Sequence, residues 1–123
     1  MQTIVLYLGR ILFGGFFIMS GYNHFAKLSM MAGYTQSKGV PVAKTAVAFT
    51  GLLLLVGGLS TIFNFYPVVG LTALILFLVP TTFLMHPYWK IQDPMAKMGE
   101  SVNFKKNLAL LGGALILLAS YLS

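Results

Sequence analysis

Four polar side chains stand out in a chain that is 58% hydrophobic and only 8% charged: Arg10, His24, His86 and Asn107. An imidazole can accept or deliver a proton near neutral pH, or ligate a metal or haem, and a carboxamide both donates and accepts hydrogen bonds. His24 follows Asn23 at the end of an apolar run that begins at Arg10, and His86 leads into Pro87-Tyr88-Trp89. If the apolar runs cross a membrane, His24, His86 and Asn107 come to one depth. With the Trp89 ring as an aromatic platform and Asn23 beside His24, they form a candidate site for a quinone, a lipid head or a partner subunit. Arg10 lies 14 residues from His24, about 21 Å of helix, so those two cannot grip one small ligand.

Other chemistries are excluded or disfavoured by residue type. Cysteine is absent, which removes disulfides, thiolate metal sites and thiol redox chemistry. Two histidines with Asp93 and Glu100 on a loop fall short of the three or four ligands zinc prefers. No serine has a visible His and acid partner set, so no catalytic residue is assigned. A b-type haem held between His24 and His86 is the weaker reading, because histidines just past span ends usually bond to headgroups, loops or water. Eight basic residues against two acids would suit nucleic acid, but they are scattered through loops and form no basic stripe.

The elements that must position these groups are membrane helices. The mean hydropathy of +0.86 and the apolar runs predict an all-α, polytopic transmembrane four-helix bundle. The predicted spans are about 3–22, 42–63, 68–86 and 104–121, within a single domain covering 1–123. The first run has no basic n-region and no small-residue cleavage site before Tyr22, so it reads as a retained span. Residues 23–41 read as a mixed polar loop, either coil or a short helix along the headgroups. Pro80 should kink the third span, and Lys105 and Lys106 are expected to open the last one.

In the first helix, Arg10, Gly14, Phe17, Gly21 and His24 recur at helical spacing and share one face. A stripe carrying glycines and buried polar groups suits tight packing away from lipid. Gly57 and Gly58 in the second span, and Gly113 in the last, are further packing candidates. Lys27, Lys38, Lys44, Lys90, Lys97, Lys105 and Lys106 all fall in or beside the first and third loops. Those loops are therefore predicted cytoplasmic, with both termini outside an inner (cytoplasmic) membrane of bacterial type.

Several short motifs in order carry a resemblance to a known family. They are Arg10 with Ser20-Gly21, then Gly21-Tyr22-Asn23-His24-Phe25, Gly39 with Pro41, Gly57-Gly58, His86-Pro87-Tyr88-Trp89, and the run from Phe104 to Gly113. The chain resembles the DoxX family of small four-helix membrane proteins over nearly its whole length. The resemblance implies a link to membrane redox chemistry, since members have been described as small subunits of thiosulfate:quinone oxidoreductase or terminal quinol oxidase assemblies. Others look like accessory partners of oxidative-stress proteins. Family members often carry a Glu in the second span near the glycines, where this chain has Thr50, Gly51 and leucines. Arg10 is then expected to find no intramembrane counter-ion within the chain.

The functional expectation is a DoxX-like membrane subunit or accessory protein of a quinone-linked redox complex, without catalysis of its own. Quinone is the candidate cofactor; the candidate partners are the bilayer, other redox subunits or copies of the same chain, and not nucleic acid. Two rivals stand beside it: a quinone-reactive oxidoreductase subunit using His86, and a structural bundle that assembles through its glycine faces.

Overall fold

In a computed structural model that describes residues 1–122, the chain forms five α-helices and one 3-10 turn. They are α1 (Gln2–Ala26), α2 (Leu28–Ser37), α3 (Ala43–Phe63), α4 (Pro67–Met85), the turn Tyr88–Lys90, and α5 (Pro94–Ala119). No strand occurs among the described residues. α1, α3, α5 and α4 with its following turn are each long and apolar enough to cross a membrane. At 1.5 Å per residue, the shortest of them, the 19-residue α4, reaches about 28 Å.

Packing follows chain order. α1 lies on α3, α3 on α4 and α4 on α5, while the short α2 rests against α3. Phe17 of α1, Leu54 of α3, Leu71, Leu74 and Leu78 of α4, and Ala114 of α5 form one buried cluster, so all four long helices share a core. Their outward faces are also apolar: Leu12, Phe49, Leu76 and Ile116 are all exposed. A bundle that is apolar inside and out is built for lipid, where outward leucines carry no penalty.

The buried residues of α1 are Arg10, Gly14, Phe17, Gly21 and His24, the same face that helical spacing marks in the sequence. The reason is close backbone approach. A Cβ at Gly14 would lie 2.7 Å from the Gly58 carbonyl oxygen, and one at Gly58 would lie 2.7 Å from that of Gly14. Gly21 is similarly set against the Gly51 carbonyl, and Gly57 against the side chain of Leu74. Gly113 faces the Phe13 ring, bringing α5 against α1.

Two predicted boundaries are corrected. α5 starts at Pro94 instead of residue 104, because Asp93 caps it: the Asp93 Oδ2 accepts the Ala96 amide at 2.9 Å and Pro94 occupies the first turn. Lys105 and Lys106 consequently sit in the helix interior and do not open it. Secondly, the first helix runs past residue 22, and of the two readings of residues 23–41 the structure shows the helical one. α1 continues to Ala26, and α2 follows after Lys27 alone.

α4 passes through Pro80 without a break. Thr82 donates back to the Leu78 carbonyl at 2.5 Å, beside the position where the proline removes an amide donor. Between α3 and α4, Asn64 and Tyr66 both take left-handed backbone angles, with φ of 53° and 48°. The Phe65 amide reaches back to the Ser60 carbonyl at 3.1 Å, which closes α3 and reverses the chain.

Candidate functional site

Antiparallel packing divides the polar groups between two ends of the bundle. At the end where α1 finishes, a cavity of about 330 Å³ opens between α1, α3, α4 and α5 beneath α2. His24, His86 and Asn107 all line it, together with Ser20 and the rings of Phe16, Phe17 and Phe77. Trp89 and Asn23 do not. Trp89 is half exposed and packs edge-on against Phe104 with ring centroids 5.5 Å apart, whereas Asn23 is exposed and its carbonyl accepts the Lys27 amide.

His24 is buried against Gly51, whose missing side chain makes room for the imidazole: a Cβ there would lie 2.7 Å from the His24 Cβ. Its Nδ1 donates to the Ser20 carbonyl at 2.8 Å, and its ring meets the edge of Phe77 at 6.0 Å. Asn107 is 95% buried, at 5% exposure. Its carboxamide has no hydrogen-bond partner among the described residues, although α5 places it at the cavity wall. Its amide atoms are open to the cavity, which makes them a ready contact for an incoming polar group.

His86 is tied to Glu100, with Nδ1 and Oε2 3.0 Å apart and both side chains mostly covered. Asn103 donates to the other Glu100 oxygen at 3.2 Å. This corrects the placement of Glu100 on a loop. The early start of α5 puts the carboxylate on a helix facing His86, and the signal for it was the Asp93-Pro94 cap. Tyr34 was also missed. Its hydroxyl donates to the Met85 carbonyl at 3.3 Å and lies 3.5 Å from Glu100 Oε2, so that α2 covers the cavity with Met31, Tyr34 and Thr35. Burial, and then the nearby Glu100 carboxylate, push the Tyr34 phenol above its ordinary pKa, keeping it a hydrogen-bond donor. No group of three or more His, Asp or Glu able to hold a metal occurs among the described residues.

At the opposite end Arg10 is buried, and it has a partner inside the chain after all. Its Nη2 donates to the Tyr121 hydroxyl at 2.6 Å, and that hydroxyl donates to Asn64 Oδ1 at 2.8 Å. The Tyr7 ring lies 5.6 Å from the guanidinium carbon. A neutral phenol and a π face thus stand where an acid was sought, while Nε remains buried without a partner. Both acids of the chain are at the other end, one capping α5 and one facing His86.

The sequence matches the DoxX family from residue 5 to residue 87. The chain belongs to the DoxX family. The match takes in α1 to α4, which supply His24, His86, Arg10 and the α2 cover. It stops before α5, so Asn107 and Glu100 lie outside it, as does the Phe104–Gly113 run that contributed to the resemblance. This DoxX-family chain is an integral membrane protein, with four apolar helices of spanning length. No curated protein and no solved structure matches it.

Proposed function

We propose that this DoxX-family protein is a membrane subunit or accessory protein of a quinone-linked redox complex, and that its cavity receives the quinone head. The carrying observation is the meeting of His24, His86 and the unpartnered Asn107 in one largely apolar cavity. A ligand with a flat ring and an apolar tail suits such a wall: aromatic side chains flank the ring, and a few polar groups fix its orientation. The cavity lies at the end that the lysine distribution assigns to the cytoplasmic side of an inner membrane. Partner subunits would deliver or remove the electrons, since the chain has no thiol of its own.

Purification of the native protein, with identification of its co-purifying subunits and extraction of bound quinones, tests this reading. Quinone at near-stoichiometric amounts, lost in Asn107→Leu, is the expected result. A quinone-free protein with no redox partner would refute it.

The His86–Glu100 pair favours a second reading, in which this chain takes part in the chemistry by passing a proton between the cavity and the aqueous side. In that case Glu100→Gln slows quinone-dependent turnover of the complex without reducing quinone occupancy. Purely glycine-driven oligomerisation is less well supported, because Gly14, Gly21, Gly57, Gly58 and Gly113 are all engaged within the chain.

A further inference from the structure

The polarity of the cavity wall bears on which redox form it holds. The Ser20 carbonyl can only accept, so the 2.8 Å contact requires the proton of a neutral His24 to sit on Nδ1. Nε2 is then an acceptor. His86 also turns its Nδ1 to a side-chain or backbone oxygen of the chain, here Glu100 Oε2 at 3.0 Å, so a ring with one proton carries it there and leaves Nε2 bare. Asn107 at the same wall can donate or accept, and Lys106, the cation of the lining, is held over the Phe16 ring at 5.2 Å. The carbonyls of an oxidised quinone only accept, and placing one against His24 would oppose two lone pairs. A hydroquinone or other phenolic head carries hydroxyls that donate to the imidazole while accepting from the Asn107 amide.

Resting on the quinone reading above, we infer that the cavity selects the reduced, hydroxyl-bearing form of its ligand, and that His24 is the residue that sets this preference. The Ser20 carbonyl acts through the tautomer. It is one turn back on the same helix, so the acceptor character of Nε2 is built into α1 and does not depend on α2 or on Glu100.

Binding of tetramethylhydroquinone and tetramethylbenzoquinone to the full chain in lipid nanodiscs, anaerobically at pH 8, tests the inference by calorimetry. The hydroquinone is expected to bind roughly tenfold tighter, the effect of about one hydrogen bond. Equal affinities, or tighter binding of the quinone, would overturn the preference and leave the quinone site standing. Binding of neither would overturn the site reading, and the inference with it. His24→Leu removes the acceptor without adding a donor and is expected to bring the ratio close to one. A variant that retains the full preference would remove His24 from that role. Nitrogen NMR of imidazole-labelled wild-type protein gives an independent check that needs no variant: a His24 ring protonated at Nε2 and bare at Nδ1 would refute the inference.

Discussion

Arg10 and Asn107 show two ways in which an apolar bundle accommodates a polar side chain. Arg10 is given a phenol, a ring face and, through Tyr121, a link to the α3–α4 turn. Asn107 is given a cavity. Removing the hydroxyl in Tyr121→Phe breaks two hydrogen bonds and leaves the guanidinium without its oxygen partner, for an expected loss of about 1–2 kcal/mol. Unfolding in mixed micelles measures it, and in an Arg10→Met background most of the loss should vanish, because no charge remains to be satisfied. A loss of equal size in both backgrounds would show that Tyr121 acts through packing instead.

Among the elements, the α1–α3 contact depends most on atoms that are absent. Gly14→Ala would drive a methyl to 2.7 Å from the Gly58 carbonyl, and backbone cannot swing aside as a flexible side chain can. A destabilisation of about 1–3 kcal/mol is expected, whereas Gly15→Ala, with nothing within 4 Å, should change stability little. Thermal unfolding of the two variants side by side checks the contrast. α2 is the element held most lightly. None of its residues is buried, and Tyr34 supplies its bond to the end of α4. Tyr34→Phe should therefore raise amide exchange across residues 28–37 while α3 and α4 keep their protection; unchanged exchange would mean that packing on α3 is enough to hold α2.

For the molecule as a whole, four antiparallel spans put the amino terminus, the 64–66 turn and the end of α5 together, opposite α2 and the 86–93 connection. The natural absence of cysteine makes this directly testable. Single cysteines at Ser37 and Lys97 should label with a membrane-impermeant thiol reagent only from the cytoplasmic side. One at Phe65 should label only from outside. The reverse pattern would keep the fold and invert the protein, moving the cavity to the other face of the membrane.

Periodicity alone made the buried face of α1 legible, since a helix among helices must turn its glycines and polar groups inward and its leucines toward lipid. The four spans were readable for the same reason: hydrocarbon demands long apolar runs. The start of α5 was written in Asp93-Pro94, but its polar first turns outside the apolar run concealed it. Tertiary structure decided the pairings. Nothing local joins Arg10 to Tyr121, 111 residues away, or Tyr34 to Met85 and Glu100. Such contacts depend on which helix lies beside which and at what height, and neutral partners such as a phenol or a carbonyl leave no charge pattern to read. The same packing left Trp89 and Asn23 outside the cavity and brought His24, His86 and Asn107 together around it.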